Sequence, residues 1–205
     1  MVFTRSKEDF ATRLTVNKCK IDQIPVSKIL GVWISEDLSW ERNTKEICRK
    51  AFSRISMLTK LRYVGVSTED LIEIYILFIR SVTEYCAVAF HSSLTVAQAT
   101  DIERIQRTSL KVILGDTYVD YPAALEMSGL QTLYERRERR CLDFALKSLK
   151  HPINSRMFPI NSNLGGEGME IRSRETFEVN FKRTEQYRMF AGPFCQRKLN
   201  ELFIN

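Results

Sequence analysis

The period at which apolar residues recur changes along the chain, and the change divides it near residue 38. In residues 1–38, apolar and polar positions alternate around Leu14, Val16 and Cys19, and the stretch 28–34 is rich in β-branched residues. Both features are typical of strands. These strands are too few for a complete sheet, so we expect residues 1–38 to be the end of a larger β structure.

Residues 39–150 show the helical period, with apolar positions three or four residues apart. Ser39 is expected to cap a first helix that ends near Arg62. Ser67, followed by Asp70, resembles the capping box and opens a second helix, which should be the most buried. The residues expected in the core of this helical unit are Ile47, Leu58, Leu71, Tyr75, Phe78, Ile79, Ile105 and Ile113.

Three further helices are indicated by signals at their ends. One spans residues 96–114 and stops at Gly115, because glycine favours the position just after a helix. A short helix has Pro122 in its first turn, where a missing N–H costs nothing. The third is capped by Thr132 and runs to about Lys150.

The remaining residues predict a linker and a short C-terminal extension. Proline and glycine concentrate in residues 151–170. In residues 171–205, alternating apolar residues predict a strand at Phe177, Val179 and Phe181, and residues 193–203 predict an amphipathic helix. The whole pattern predicts a mainly α fold with a small N-terminal β portion, divided into 1–38, 39–150, 151–170 and 171–205.

Histidine and cysteine give no support for a metal site or a self-contained enzyme. His91 and His151 have no cysteine or acidic residue at ligand spacing, and no phosphate-binding loop or nucleophile motif is present. The five cysteines are odd in number and follow no secretory signal, so we expect reduced thiols and an intracellular compartment. Cys48, Cys86 and Cys141 are expected to be buried on apolar helix faces. No apolar run is long enough to span a membrane.

The charge of the chain favours a polyanionic partner. The net charge is +6 and the pI is about 9.1, a balance that suits nucleic acid. Basic residues gather on three predicted helices: Arg42, Lys45, Arg49, Lys50, Arg54 and Lys60; Arg104, Arg107 and Lys111; and Arg136, Arg137, Arg139 and Arg140.

Two interpretations of these basic residues stay open. They could contact phosphates along a groove, or they could form solvated helix faces stabilised by neighbouring carboxylates. Composition alone favours the second interpretation. It rests on the pairs Glu41–Lys45, Glu46–Lys50 and Glu103–Arg107.

Four stretches, in order and in spacing, resemble the C-terminal region of LINE-type (non-LTR retrotransposon) reverse transcriptases. They are residues 28–40, similar to the K-x-LGV-x-ID-x-x-L-x-W end of the palm; 47–62, similar to the K-A-x-x-R-x-x-x-L-x-x-L helix that opens the thumb; 74–86, similar to Y-x-x-x-I-x-S-x-x-x-Y; and 102–115, similar to LE-x-x-Q-x-x-A-x-R-x-I-x-G. Weaker likenesses continue through Arg136-Arg137 to residues 183–188, so the resemblance covers nearly the whole chain.

The resemblance implies a helical thumb-like bundle in residues 39–150 and the last strands of an incomplete palm in residues 1–38. By position, Leu30, Gly31, Val32 and Trp33 match the primer-grip hairpin of these enzymes, which holds the primer end. The helices after it would follow the primer–template backbone with basic side chains. The residues matched to that role are Arg49, Lys50, Arg54, Lys60, Arg104, Arg107 and Lys111.

The implied partners are an RNA–DNA hybrid or RNA, bound without sequence preference, and the missing palm and fingers of the parent polymerase. No membrane partner is implied.

The chain departs from the family at the catalytic carboxylates. The family's F/Y-x-DD turn would lie before Met1, the chain contains no DD pair, and Asp9, Asp22 and Asp37 are isolated. Polymerisation requires carboxylates that bridge two Mg²⁺ ions. We therefore expect a non-catalytic fragment without a cofactor of its own, Mg²⁺ belonging to the full-length parent. The alternatives are a helical protein-interaction domain and a foldable relic, neither with a nucleic-acid role.

Overall fold

The computed structural model describes residues 15–20, 24–160, 176–177 and 188–204. Predictions for Leu14, for residues 161–170 of the expected linker, and for Val179 and Phe181 lie outside these residues.

In the described residues, four short strands form two separate antiparallel hairpins. The first pairs β1 (Thr15–Val16) with β2 (Cys19–Lys20), and the second pairs β3 (Val26–Ile29) with β4 (Val32–Ser35). In the second hairpin Ile29 lies opposite Val32, so only two residues form the turn. β4 packs on the first helix, which brings this hairpin onto the helical unit.

The rest of the described chain is mostly helical, so the predicted mainly α fold with a small β portion is confirmed. The helices are α1 (Glu41–Tyr63), α2 (Thr68–Ile74), a π-helix (Tyr75–Arg80), α3 (Ser81–Glu84), α4 (Ala87–Phe90), α5 (Val96–Leu114), α6 (Tyr121–Ser128), α7 (Leu133–Leu149) and α8 (Ala191–Ile204). Short 3₁₀ turns lie at His91–Ser93, Gly115–Thr117 and Asn154–Met157.

Side-chain caps fix the starts of α2, α5, α6 and α7. The Ser67 hydroxyl accepts the Asp70 N–H at 3.2 Å, and Thr132 forms a complete capping box with Glu135. The predicted cap at Ser39 is wrong, since Trp40 occupies the N-cap position without a side-chain hydrogen bond. The Ser39 carbonyl instead accepts the Ser35 hydroxyl at 2.7 Å, which links the end of β4 to the start of α1.

The first hydrophobic core lies between α1, α2, the π-helix and α5. Seven of the eight predicted core residues are buried: Ile47, Leu58, Leu71, Tyr75, Ile79, Ile105 and Ile113. Phe78 is the exception, because 52% of its surface is exposed. The prediction that Phe78 is a core residue is therefore wrong.

The π-helix explains the position of Phe78. A π turn closes i→i+5 hydrogen bonds and so takes more residues than an α turn. With that wider turn, Leu71, Tyr75, Ile79 and Thr83 point to the core at a constant spacing of four. An uninterrupted α-helix would point Phe78 into the core, whereas the π turn rotates it outward.

The helix breaks after α3, and this break corrects the prediction for Cys86. Cys86 has φ +52°, a left-handed conformation that ends the helix before α4. Its side chain is exposed rather than buried, whereas Cys141 is buried as predicted and Cys48 is half-buried.

A second, smaller core lies between α7 and α8. Its buried members are Cys141, Ala145, Phe158, Phe177, Phe194, Cys195 and Leu199. The Asn200 side chain of α8 accepts the Phe177 N–H at 2.8 Å and donates to the Phe177 carbonyl at 3.0 Å, which fixes that residue on the helix. Because Leu133 belongs to the first core, α7 contributes to both.

No helix in the described part of the chain is long and apolar enough to cross a membrane.

Candidate nucleic-acid interface

Helices α1 and α5 lie side by side and run in the same direction. Near their first turns, Thr44 and Lys45 share a groove with Gln98, Asp101 and Arg104.

At the other end, the Arg62 guanidinium crosses from α1 to α5. Its Nη1 donates to the Val112 carbonyl at 3.0 Å and also to the Ile113 carbonyl. These carbonyls are among those that a helix C terminus leaves without an internal partner. A Cβ at Gly115 would collide with this guanidinium, and its φ of +52° also favours glycine. Arg62 thus fixes the two helices as one unit.

The basic residues of α5 form a continuous exposed row. Arg104, Arg107 and Lys111 follow one another along the solvent face of the helix. The Arg107 guanidinium lies 5.0 Å from the Tyr121 ring centroid, and the Lys111 ammonium lies 5.4 Å from that of Tyr118. These cation–π contacts hold both charges at the surface without neutralising them.

The basic residues of α1 point in different directions and have different partners. Arg49 is exposed and pairs with Glu46 at 3.0 Å. Arg54 donates to the Phe78 carbonyl, on the flank that faces the π-helix. Lys50 is half-buried, and Lys60 is exposed near the Arg62 end of the helix. None of these four lines the groove between α1 and α5, where the basic residue of α1 is Lys45.

The predicted carboxylate pairs are found in part. Glu41 and Lys45 pair at 2.5 Å. Glu46 pairs with Arg42 and Arg49 at 3.7 and 3.0 Å.

Glu103 has a structural role that its sequence spacing does not indicate. It accepts the backbone N–H groups of Leu133 and Tyr134 at 2.9 and 3.1 Å, and it also accepts the Tyr121 hydroxyl. The Glu103 carboxylate therefore satisfies the free N–H groups at the start of α7, leaving Arg107 to its tyrosine.

The residues matched to a primer grip form the turn of the second hairpin and the start of β4. Leu30 and Gly31 both have positive φ, +47° and +89°, as in the type I′ turns that join antiparallel strands. Leucine is strained in this conformation. The Tyr85 hydroxyl donates to the Leu30 carbonyl at 2.8 Å, and its ring would lie 3.4 Å from a Cβ at Gly31. Tyr85 thus supports the turn from the helical side.

The hairpin presents its matched residues unequally. Leu30 is 85% exposed at the turn, whereas Val32 is buried in the first core. Trp33 is half-buried, with the Arg42 guanidinium 4.9 Å and the Lys28 ammonium 5.8 Å from its ring centroid. The tip therefore combines one exposed apolar side chain with two nearby positive charges.

The arginines of α7 surround one buried carboxylate. Glu84 accepts Arg136 at 2.6 Å and Arg140 at 2.8 Å, and Arg80 lies at 3.8 Å. Burial by itself would raise the pKa of Glu84, but the Arg136 hydrogen bond and the charges of Arg140 and Arg80 lower it overall. Two of the basic residues predicted as possible phosphate contacts, Arg136 and Arg140, are thus committed to an internal carboxylate.

Arg137 does not face solvent at all. It is fully buried on α7, and its three guanidinium nitrogens have no hydrogen-bond partner within the described chain. Arg137 lies near His91, and burial followed by that positive charge lowers the His91 pKa to about 4. Interpreting Arg137 as a surface phosphate contact is therefore wrong.

Sequence reasoning missed a buried polar network around Gln106. Its amide accepts the Tyr75 hydroxyl at 2.6 Å and donates to the Tyr121 hydroxyl at 3.0 Å and the Gln131 carbonyl at 2.9 Å. The signal in the sequence was a lone glutamine on the apolar face of α5. This network joins the π-helix, α5 and α6 inside the first core.

Comparison with protein-family models, with curated proteins and with solved structures finds no match for this chain. Within the described ranges, no three His, Cys, Asp or Glu side chains gather as a metal-binding group.

Proposed function

We propose that the chain is a non-catalytic C-terminal portion of a LINE-type reverse transcriptase that binds the backbone of an RNA–DNA hybrid. The single observation that supports it best is the row Arg104, Arg107 and Lys111 on the exposed face of α5. Such a row suits phosphates, because backbone contacts need charge but no base recognition. The proposal also assigns the chain to an intracellular compartment.

The way these side chains are held adds support. Arg107 and Lys111 rest on tyrosine rings, which restricts their motion while leaving their charge unpaired. Arg104 borders the groove that also contains Lys45 of α1. A strand of phosphates could thus follow α5, with α1 as the second wall.

The hairpin tip is a second supporting feature. Leu30 is a strained, exposed apolar residue supported by Tyr85. Backbone strain of this kind concentrates at functional sites. The proposal gives this tip the role of contacting the primer end.

The helical protein-interaction domain is kept as a second candidate because of one specific observation. Leu30, Leu77, Phe78 and Tyr85 are large apolar side chains that are each at least half exposed. Exposed apolar surface of this kind is typical of sites that bind another protein. In the proposed polymerase the missing palm would cover it, whereas in the alternative a separate partner would.

Salt dependence of binding separates the two functions. With about three to five phosphates contacted, log K for an RNA–DNA hybrid should fall against log salt with a slope of roughly −3 to −4. Replacing Arg104→Glu and Lys111→Glu together should flatten the slope by about two units, since two contacts are lost. Fluorescence anisotropy of a labelled hybrid across a salt series measures this slope.

A matched control uses two basic residues far from the row. Lys150→Glu with Arg156→Glu makes the same change of charge at exposed positions beyond α7. It should leave the slope close to that of the unmodified chain. Equal flattening by both double variants, or binding without salt dependence, would remove the α5 row as the interface and favour the interaction domain.

A further inference from the structure

Two cysteines from distant parts of the sequence meet inside the second core. Cys141 of α7 and Cys195 of α8 are each 1% exposed. They are 54 positions apart, and the Cys195 sulfur lies 3.5 Å from the Cys141 carbonyl oxygen. The other three cysteines lie elsewhere: Cys19 and Cys86 are exposed, and Cys48 is half-buried on α1.

The two thiols also interact with each other and are chemically unequal. A hydrogen bond from the Cys141 thiol lowers the pKa of Cys195, although burial opposes it. The same hydrogen bond, together with burial, raises the pKa of Cys141. The opposite directions of these shifts favour Cys195 as the sulfur that is oxidised first, and the position of its sulfur against the Cys141 carbonyl brings the two cysteines within reach of each other.

We infer that Cys141 and Cys195 form a redox-active dithiol that hydrogen peroxide converts into a disulfide between α7 and α8. The Cys195 thiolate attacks one peroxide oxygen, the O–O bond breaks, and the second oxygen leaves as water after taking a proton. Cys195 is then a sulfenic acid. The Cys141 sulfur attacks the Cys195 sulfur, an S–S bond forms, and the sulfenic oxygen leaves with the Cys141 proton as a second water. Two thiols lose two electrons, and one peroxide gains them.

The disulfide would fasten the C-terminal helix to the body of the protein. Without it, α8 is held by the apolar contacts of the second core and by ion pairs such as that of Lys198 with Glu138 at 3.0 Å. Closing a loop of this length constrains the unfolded chain and so stabilises the folded one. Neither step depends on nucleic-acid binding.

The test uses the full-length chain with Cys19→Ser, Cys48→Ser and Cys86→Ser, which leaves only the pair. Treatment with dilute hydrogen peroxide should remove two hydrogens from the intact mass and abolish reaction with iodoacetamide after unfolding. Dithiothreitol should restore both thiols. The oxidised protein should unfold about 5 °C or more above the reduced one.

The matched control adds Cys141→Ser to that variant. It should gain one oxygen at Cys195 or remain unreacted, and peroxide should not raise its unfolding temperature. Peptide mapping of the unmodified chain repeats the test without substitutions, in case the serine variants fold poorly. A Cys141–Cys195 peptide supports the dithiol. Added oxygen on either cysteine without cross-linking overturns it, and so do two free thiols once Cys86 is fully oxidised.

Discussion

At the scale of single residues, buried hydrogen bonds account for part of the pattern that resembles a nucleic-acid-binding family. Glu103 and Gln106 both belong to the matched stretch 102–115, and both connect helices rather than face a partner. A buried polar group requires a partner, so folding alone constrains these two positions. Arg104 and Arg107 are neighbours of these two residues in the sequence but are exposed. They are therefore the stronger candidates for contact with nucleic acid.

His91 provides a pH-dependent prediction at this scale. Its pKa falls from 6.5 to about 4, chiefly through burial and then through the Arg137 charge. Between pH 4 and pH 6.5, His91 therefore binds a proton in the unfolded chain but not in the folded chain. The free energy of unfolding should therefore decrease by up to about 3 kcal/mol as pH falls from 6.5 to 4.

Urea unfolding at pH 7 and pH 4.5 measures this loss. His91→Phe keeps the aromatic contacts with Tyr134 and Phe194 but cannot titrate, so its loss between the two pH values should be smaller by most of that amount. The same substitution at the exposed His151 is the control, and it should leave the loss of unfolding free energy between the two pH values as it is in the unmodified chain. Identical pH dependence for the His91→Phe variant and the unmodified chain would contradict the assignment.

The sequence could not predict the partners of Glu84 or the burial of Arg137. The hydrogen bond between Glu84 and Arg136 joins residues 52 positions apart, and no local pattern encodes such a distance. Arg137 also breaks the usual expectation that arginine stays exposed. Its neighbour Arg136 follows that expectation more closely, although both occur in one basic run.

At the scale of elements, local signals predicted helix ends well and helix phase less well. Thr132, Gly115 and Ser67 mark helix ends through contacts within a few residues, and the structure confirms all three. The π-helix depends instead on how α2 and α3 pack against α1 and α5. One π turn inside a run of α-helix leaves no mark on the spacing of apolar residues, so an uninterrupted α-helical phase predicts the wrong side for Phe78.

Phe78 and Ile79 give a test of that widened turn. Phe78→Ala should cost less than about 1 kcal/mol of unfolding free energy, because the side chain is half exposed. Ile79→Ala should cost about 2–5 kcal/mol, since Ile79 is fully buried. Chemical denaturation of both variants gives the comparison. A larger loss at Phe78 than at Ile79 would return the segment to the simple α-helical phase.

At the scale of the whole molecule, the amphipathic pattern was enough for the mainly α class, but it did not reveal that the buried residues form two cores. The second core depends on Phe158, which lies in the stretch predicted to be a linker, and on Phe177. Their burial follows from contacts with α7 and α8. The spacing of apolar residues within 151–205 does not predict those contacts.

Catalysis is the prediction that belongs to this scale. The chain should not extend a primer on an RNA template with Mg²⁺ and nucleotides, because it has no DD pair to bridge two metal ions. Incorporation of labelled nucleotide by purified protein measures this, with an active reverse transcriptase as the positive control. Incorporation above that of a heat-inactivated sample would refute the non-catalytic assignment.

The division of α7 between two cores sets the order in which the molecule opens. Residues such as Cys195 and Leu199 depend only on the smaller core, whereas Ile105 and Leu58 depend on the larger one. A fluctuation that releases α8 therefore exposes little apolar surface and leaves the larger core in place. Amide hydrogens of α8 should exchange with solvent by such partial openings, while those at the centres of α1 and α5 should wait for unfolding of the entire chain.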